Sequence, residues 1–390
     1  MSKDSESSFY KKLGASSSKA GILNAVGAGS PSHFIELSAD IARDKEYSSF
    51  IHADGAGTKS ILAYIAYRQT NDLSYFRGLA QDALVMNLDD VLCVGMPDSL
   101  IFSNTIGRNG NHVPDSAIAE VIGGYKDIFK LLESNGIEIH SGGGETADVG
   151  DVVRTLLIDA TLCGRIKNRA VISTDNITPG DVIIGLASSG KASYENAINS
   201  GISSNGLTLA RHAMIPYSLA EKYPEILDPL TPKDACYKGN EDIFENHQDL
   251  NGQPIIKALL SPTRTYAPIL KKLFNEIDTK EIHGIINCTG GGQTKAIRFG
   301  KSVRYIKNNL FTPPPIFTLI QKSMNIPWNE MYSVFNMGHR LEIVCPENMA
   351  EKINLIANAF NVESKIVGRV EKTTGLNEVV LETAYGNFKY

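Results

Sequence analysis

The stretch Asp54-Gly55-Ala56-Gly57-Thr58-Lys59 stands between a strand-like segment at 49–53 and a helix-like segment at 58–67. Its two glycines leave backbone amides free to face an anion, the helix start adds positive potential, and Lys59 adds a full charge. The spacing of a P-loop is absent, and Asp54 would repel a bare phosphate unless a divalent cation lay between them. The stretch therefore predicts a phosphate site or, equally well, a tight strand-to-helix turn with a capping aspartate.

Strand-like and helix-like patterns alternate along the rest of the chain, which predicts an α/β (α+β) fold. Residues 167–180 carry turn residues without an apolar period and form the best boundary. We expect a flexible arm at 1–33 with a short helix at 18–26, a first domain at 34–170 and a second at 175–390. The other predicted strands are 137–140, 152–163, 181–187, 284–288, 341–345 and 365–370, and the other predicted helices are 75–94, 114–133, 206–213, 265–277, 315–324 and 349–360.

Composition limits the class of protein. The 390 residues include 38 Lys+Arg and 43 Asp+Glu, and the net charge of −5 argues against a broad nucleic-acid-binding face. The five cysteines are far apart and form no C-x-x-C pair, which favours free thiols over disulfides or a zinc knuckle. No apolar run approaches the roughly 18 residues of a membrane span, and the first residues lack a signal-peptide pattern. We therefore expect a soluble cytoplasmic protein that binds neither nucleic acid nor membrane.

A second glycine run, Gly142-Gly143-Gly144-Glu145-Thr146, follows the predicted strand at 137–140. Three glycines allow a close approach of the backbone to a ligand, and the carboxylates of Glu145 and Asp148 suit Mg²⁺ that bridges to nucleotide phosphates. A hinge would explain the glycines about as well.

The predicted helix at 75–94 contains a pair of acids, Asp89-Asp90. At about 100° per residue the acids Asp82 and Asp89 fall opposite the apolar stripe, where we expect them to be solvated. Asp90 falls at the edge of the stripe and needs a partner, for which a metal ion or Lys59 would serve. The buried stripe consists of Leu84, Leu88, Val91 and Val94.

The second half of the chain offers three more polar helix starts: Ser204-Asn205-Gly206, Pro262-Thr263-Arg264 and Thr289-Gly290-Gly291-Gly292. Such starts build anion or polar-ligand sites from backbone amides, although each is also a plausible N-cap. Their number, more than any one of them, indicates a ligand site.

Two histidine positions are ambiguous. His283 could act as a base or a ligand, but a lone histidine between Ile282 and Gly284 is more often structural. The pair His339-Arg340 follows Asn336 and Gly338 and could present a cation to a phosphate or form a surface turn.

Taken in order, these motifs resemble those of aminoimidazole ribonucleotide (AIR) synthetase, the phosphoribosylformylglycinamidine cyclo-ligase family, from about residue 50 to 370. The matching stretches are Asp-Gly-x-Gly-Thr-Lys (54–59), Asp-Asp-x-x-x-x-Gly (89–95), Gly-Gly-Glu-Thr-Ala (143–147), Ser-Asn-Gly (204–206), Pro-Thr-Arg-x-Tyr (262–266), Ile-His-Gly-x-x-x-x-Thr-Gly-Gly-Gly (282–292) and Glu-Met-Tyr-x-x-Phe-Asn-x-Gly (330–338).

The resemblance implies a two-domain AIR synthetase-like fold, with an N-terminal mixed sheet at a homodimer interface and a C-terminal α/β sandwich. It also implies a reaction of de novo purine biosynthesis with ATP and Mg²⁺. ATP would phosphorylate the formyl amide oxygen of formylglycinamidine ribonucleotide (FGAM), and an amidine nitrogen would then close the ring to give AIR, ADP and phosphate.

The resemblance gives roles to individual residues. Asp54, Asp90 and Glu145 become metal-facing acids, Lys59 becomes a phosphate contact, and His283 becomes a weaker catalytic candidate. The predicted ATP and substrate contacts are Gly55, Gly57, Thr58, Gly143, Gly144, Thr146, Ser204, Asn205, Gly206, Thr263, Arg264, Thr289, Gly290, Gly291, Gly292, Asn336 and Gly338.

The sequence departs from the family pattern at several places. Asp89 stands where the family has Asn, residues 31–36 replace a Gly-rich segment, and residues 296–299 replace Asn-Ile-Pro-Arg. Two alternatives therefore stay open: another ATP-using enzyme of the same fold, such as a small-molecule kinase or a selenophosphate synthetase, and a silent nucleotide-binding paralogue. A selenophosphate synthetase would need a reactive cysteine near the N-terminus, and none precedes Cys93.

Overall fold

The computed structural model describes residues 8–15 and 31–390, which contain two main β-sheets with helices packed against them. The helix predicted at 18–26, with most of the predicted arm, lies outside the described residues. The first sheet has five strands in the order β1-β2-β5-β3-β4. Their bounds are β1 Ser38–Ala39, β2 Tyr47–Gly55, β3 Ser99–Arg108, β4 His140–Asp148 and β5 Leu156–Lys167.

This first sheet is mixed, because β3 runs parallel to β4 and antiparallel to β5. Strand β3 was not predicted, although Leu100, Phe102 and Ile106 alternate with exposed residues as a half-buried strand requires. The glycines Gly142–Gly144, expected to form a ligand-binding segment or a hinge after a strand, lie inside the edge strand β4 instead. Every residue of β4 except Ala147 is exposed, which is why its sequence lacks the apolar pattern of a strand.

The second sheet has seven strands in the order β11-β13-β6-β14-β12-β15-β16. Strand β6, with the sequence VIIGLA, is buried over its whole length between β13 and β14, as its unbroken run of apolar residues predicts. The bounds are β6 Val182–Ala187, β11 Gly284–Asn287, β12 Val303–Lys307, β13 His339–Cys345, β14 Ser364–Lys372, β15 Glu378–Thr383 and β16 Gly386–Lys389; the two-residue strands are β7 Ser189–Gly190, β8 Asn199–Ser200, β9 Asn246–His247 and β10 Gln253–Pro254.

The helices pack on these sheets and between them. None of those in the described ranges is long and apolar enough to span a membrane. The α-helices are α1 Phe9–Lys12, α2 Lys59–Thr70, α3 Gly78–Leu92, α4 Asp115–Ser134, α5 Leu207–Met214, α6 Tyr217–Lys222, α7 Ile255–Leu259, α8 Ala267–Glu276, α9 Pro315–Met324, α10 Trp328–Val334 and α11 Ala350–Asn358. Short 3₁₀ helices span Leu73–Phe76, Asn168–Ala170, Thr174–Asn176, Pro224–Ile226, Gln248–Leu250, Thr279–Glu281, Gly292–Arg298 and Glu347–Met349.

Helix α3 lies at the centre of the molecule. It packs against β2 and β5 of the first sheet and also contacts α8 and β11 of the second half. Both of its faces are therefore covered, and the prediction that Asp82 and Asp89 are solvated is wrong: each is 0% exposed. Asp90 is 7% exposed, in agreement with its predicted position at the edge of the stripe.

The polar segment 217–254 folds into short helices and a small hairpin, and it contacts the first half of the chain. The Tyr223 hydroxyl donates to the Arg68 carbonyl at 3.0 Å, and Arg154 donates to the Leu227 carbonyl at 2.6 Å. The segment thereby connects the two halves at a place distant in sequence from α3.

Candidate active site

A cavity of about 220 Å³ lies where the two halves meet. The first half contributes Asp54 from the end of β2 and Asp90 from α3, and the second half contributes loop and 3₁₀-helix residues. The whole lining consists of Tyr10, Asp54, Asp90, Asn205, Gly206, Thr289, Gly290, Gly291, Lys295, Arg298 and Val334.

Asp54 is held at the cavity by its neighbours in the first half. A Cβ atom on Gly55 would lie 2.0 Å from the Asp159 Oδ1, so glycine is required for the close approach of β2 to β5. Asn87, which the sequence analysis missed, donates from Nδ2 to the Asp54 carbonyl at 3.0 Å and to the Ala160 carbonyl at 3.1 Å. A side-chain amide on a buried helix must find hydrogen-bond partners, so an asparagine within the apolar run of α3 indicates a contact of this kind.

Asp90 is fixed by the second half. Asn287 donates from Nδ2 to Asp90 Oδ1 at 2.6 Å, and Arg340 donates to Asn287 Oδ1 at 2.8 Å. Burial raises the pKa of the Asp90 carboxyl to about 6, with Lys295 and His52 acting in the opposite direction. The His52 Nε2 lies 3.6 Å from Asp90 Oδ2. The carboxylate is thus nearly dry; Lys295, His52 and Asn287 favour its charge, whereas burial and the charge of Asp54 oppose it.

Glu145, the third predicted metal-facing acid, does not join this pair within one chain. Glu145 pairs with Thr105 on β3, Thr105 with Asp159 on β5, and Asp159 with Gly55 on β2. At about 4.8 Å per strand, Glu145 lies roughly 14 Å from β2. Glu145 is in register with Gly55, the residue after Asp54. Because successive residues of a strand point to opposite faces, Glu145 and Asp54 lie on opposite faces of the sheet.

Asp54 and Asp90 together suit Mg²⁺. No group of three His, Cys, Asp or Glu side chains with metal-site geometry occurs in residues 8–15 and 31–390. Protein Mg²⁺ sites next to nucleotides commonly use one or two carboxylates, with phosphate oxygens and water completing the octahedron. The two acids at the cavity fit that pattern, with phosphate oxygens and water as the remaining ligands.

Lys59, the predicted phosphate contact, does not line the cavity. It is 0% exposed, and its Nζ donates to Asp82 Oδ1 at 2.8 Å and to the carbonyls of Ser203 and Ser261. With its three protons used, Lys59 has no donor left for a ligand. The residue is therefore a buried structural cation that joins α2 to α3 and to the second half.

The cations at the cavity are Lys295 and Arg298 instead. Both belong to the 3₁₀ helix Gly292–Arg298, in which residues three apart lie on the same edge. Burial lowers the pKa of each, and for Lys295 the charge of Asp90 opposes the effect. The sequence indicates that this segment is unusual, because Lys295 lies beside and Arg298 lies within the 296–299 stretch that departs from the family pattern.

Of the other predicted contacts, five line the cavity: Asn205, Gly206, Thr289, Gly290 and Gly291. Gly292 instead supports the loop. A Cβ atom there would lie 2.4 Å from the Phe335 carbonyl oxygen, and its φ of +50° favours glycine. Thr58 is turned towards Thr208, with their hydroxyl oxygens 3.1 Å apart.

Several predicted contacts serve internal hydrogen bonds. Thr263 and Ser204 donate hydroxyl protons to Asp82 at 2.6 and 3.0 Å. Arg264 is buried, and its guanidinium is paired with Glu195 at 2.6 Å. Asn336 accepts from the Ser188 hydroxyl at 2.9 Å. These four residues brace the loops behind the cavity.

Five further predicted site residues lie away from the cavity. Gly143, Gly144 and Thr146 lie on the edge strand β4 with Glu145. His283 sits at the opposite end of β11 from Asn287, where its Nδ1 is 2.9 Å from both Asp181 carboxylate oxygens. Gly338 borders a separate polar cleft beside Lys365.

The pair His339-Arg340 is neither a surface turn nor a ligand contact. Both residues are 1% exposed in β13. Arg340 donates to the carboxylate of Asp89 and to the Arg264 carbonyl. A series of hydrogen bonds links the two halves directly behind the cavity; it runs from Asp89 through Arg340 and Asn287 to Asp90.

The sequence matches the family described as AIR synthase related protein, in its N-terminal domain over residues 36–166 and in its C-terminal domain over residues 178–380. Among curated proteins it is 31% identical over 334 residues to the phosphoribosylformylglycinamidine cyclo-ligase of Methanocaldococcus jannaschii, covering 85% of this chain and 81% of the relative. It is 30% identical over 331 residues to the protein of the same name from Pyrococcus horikoshii, covering 84% and 80%.

Solved structures share the fold at low sequence identity. T. maritima PurL complexed with AMPPCP superposes with a TM-score of 0.54 at 13% identity, covering 98% of this chain and 49% of that one. The hydrogenase maturation protein HypE superposes with a TM-score of 0.51 at 16% identity, covering 89% and 88%. At these identities the similarity concerns the arrangement of strands and helices alone.

Proposed function

The chain belongs to the AIR synthase related protein family, and we propose that it uses ATP to close the imidazole ring of FGAM, giving AIR, ADP and phosphate in de novo purine biosynthesis. One observation carries the proposal. Two acids from the first half, Asp54 and Asp90, meet two cations and a glycine loop from the second half in one cavity. The cyclo-ligases named above match this chain over most of their length and point to the same reaction.

The chemistry requires a site that handles phosphate charge. The formyl oxygen of FGAM is a poor leaving group, and its phosphorylation makes it a good one before the amidine nitrogen attacks the formyl carbon. Bound Mg²⁺ would neutralise charge on the phosphates, and Asp54 and Asp90 are the residues that would hold it. The open space at Gly290 leaves backbone amides of its loop free to face the nucleotide or the substrate.

The rival enzyme chemistries find less support. A selenium or sulfur carrier would need an accessible thiolate, and no cysteine of the described ranges lines the cavity. Cys93 and Cys288 are buried, and burial raises the pKa of both thiols. All five cysteines are free, which fits the reducing cytoplasm.

The proposed enzyme is a homodimer that joins through the first sheet. Ile51, Cys163 and Ile101 lie side by side on the sheet face away from the helices, and Ile51 and Ile101 are 74% and 49% exposed. Leu157 and Glu145 lie on the same face. A second copy of the chain would cover these apolar residues, and Glu145 would then face the partner subunit instead of its own cavity.

Purified protein incubated with FGAM, ATP and Mg²⁺ tests the function. We expect a diazotisable aminoimidazole to form together with one equivalent of ADP, and we expect Asp90→Ala to lose the activity at least 100-fold. Tight ATP binding without product would support the silent paralogue instead. Turnover that survives Asp90→Ala within a few-fold would refute the metal-site assignment while leaving the function standing.

A further inference from the structure

The charge in the cavity is divided between the two halves of the chain. Its acids come from the first half, and its cations, Lys295 and Arg298, come from one short 3₁₀ helix of the second. Phosphoryl transfer from ATP develops negative charge on the oxygens of the transferring group, so a fixed cation next to the metal-facing acids would stabilise the transition state.

Lys295 has no close partner of its own in the described part of the chain, where no hydrogen bond or ion pair within 4 Å involves its Nζ. The Phe34 ring centroid is 5.4 Å away; the charges of Asp90 and Asp54 attract the ammonium and that of Arg298 repels it. A half-buried ammonium without a direct partner is costly, and a ligand anion would remove that cost. Lys59 differs from Lys295, because its ammonium donates all three of its protons, to Asp82 and to two backbone carbonyls.

The helix that carries Lys295 is rigidly held. Gln293 is 0% exposed; its Nε2 donates to the carbonyls of Asn336 and His339, and its own carbonyl accepts from Lys307 Nζ at 2.7 Å. Gly292 precedes it and is packed against the Phe335 carbonyl. Gln293, two residues before Lys295, is therefore anchored through both its side-chain amide and its backbone carbonyl, as a helix that carries a preorganised group requires.

We propose that Lys295 is a catalytic residue whose ammonium contacts the phosphoryl group during its transfer from ATP, with Arg298 on the same edge of the helix as a second contact. The inference rests on the proposed function, and it assigns to Lys295 the phosphate contact that the sequence motif had suggested for Lys59.

The step balances without a further reactant. The formyl oxygen forms a bond to the γ-phosphorus as the bridging bond to the β-phosphate breaks, and ADP leaves with the electron pair. The formyl amide nitrogen gives up its proton to solvent as the phosphorylated imidate forms. The amidine nitrogen then bonds to the formyl carbon and loses its own proton to solvent, while the carbon–oxygen bond breaks and phosphate leaves. A methylene proton moves to the exocyclic imino nitrogen, which gives the aromatic aminoimidazole. Lys295 keeps its protons throughout and acts only through charge and hydrogen bonds.

The test compares Lys295→Met with Lys295→Arg, and Lys130→Met serves as the control because Lys130 is an exposed lysine on α4. We expect Lys295→Met to lower kcat on the order of 100-fold with a much smaller change in KM for ATP, and Lys295→Arg to retain part of the rate. Circular dichroism and thermal unfolding would establish that the variants fold.

A second readout does not depend on turnover. The complex of ADP with aluminium fluoride resembles the transferring phosphoryl group, whereas AMPPCP resembles the ground state. We expect Lys295→Met to weaken binding of ADP–aluminium fluoride at least ten times more than binding of AMPPCP, as measured by calorimetry with Mg²⁺. Equal weakening of the two would refute a transition-state contact.

The two proposals fail separately. Wild-type turnover of FGAM together with an unimpaired, folded Lys295→Met would overturn the role of Lys295 and leave the proposed function intact. Absence of AIR from the wild type, with selective loss of ADP–aluminium fluoride binding in Lys295→Met, would support the phosphoryl contact and overturn the choice of substrate.

Discussion

Lys59 Nζ donates to Asp82 Oδ1 at 2.8 Å, and both residues are 0% exposed. The pair joins helix α2, which begins at the last residue of the first glycine motif, to the central helix α3. Its partners in the second half, Ser261 and Thr263, extend the contact across the molecule. A motif that resembles a phosphate loop thus supplies a buried ion pair between the two halves.

We predict that Lys59→Met lowers the free energy of unfolding by about 3–5 kcal/mol, because it leaves Asp82 charged and buried without its cation. The double variant Lys59→Met/Asp82→Asn should recover part of the loss, since the unpaired charge is gone. Urea unfolding followed by circular dichroism measures both. A catalytic defect in Lys59→Met at unchanged stability would contradict the structural role.

Asp90→Asn should abolish turnover and yet stabilise the metal-free protein at pH 7.5. Burial raises the pKa of the Asp90 carboxyl to about 6, so at pH 7.5 the carboxyl is ionised and its buried charge destabilises the folded state relative to the unfolded chain. A neutral amide of the same shape removes this penalty, a gain on the order of 1–3 kcal/mol. Thermal unfolding in EDTA measures it, and a clearly lower Tm than that of the wild type would contradict the prediction.

Glu342 should make stability depend on acid pH. Burial opposes its ionisation, but Lys307 and His339 outweigh burial and lower the pKa of the carboxyl to about 2, from an ordinary value of 4.5. The stabilisation is therefore complete above about pH 4.5 and is lost as the pH falls towards 2.

The variant that tests the role of Glu342 is Glu342→Gln. It should be less stable than the wild type by about 3–5 kcal/mol at pH 7, because Lys307 loses its buried partner. The difference should narrow as the pH is lowered from 4.5 towards 2. Urea midpoints of the wild type and the variant, measured across this pH range, test the direction of the change. A stability difference that widens on acidification would show that a group other than Glu342 dominates the acid dependence.

Ile51→Lys should convert the proposed dimer into a monomer, since it places a charge in the middle of the exposed apolar row of the first sheet. Ile41→Lys is the control, because Ile41 is 85% exposed and lies outside the strands. Sedimentation velocity reports the mass of each. A wild type that sediments as a monomer at all concentrations would refute the proposed interface.

Local patterns in the sequence predicted much of the fold. Strand β6 has an unbroken apolar run, and helix α9 at Pro315–Met324 agrees with its predicted bounds. Strand β4 was missed over most of its length because an exposed edge strand rich in glycine carries no apolar period. The motifs likewise contain Asp54, Asp90 and the loop at Gly290 and Gly291, which the fold brings together in one cavity.

The family, the alternation of strands and helices and the positions of the glycine-rich motifs follow from local sequence patterns, since they depend on residues near one another in the chain. Tertiary structure decided which charges face the ligand and which are buried. Helix periodicity placed Asp89 on a solvent face, but the second half of the chain covers that face and pairs Asp89 with Arg340. The same packing encloses Lys59 and leaves Lys295 at the cavity, because a side chain's partners are set by the surfaces that meet and not by its own motif.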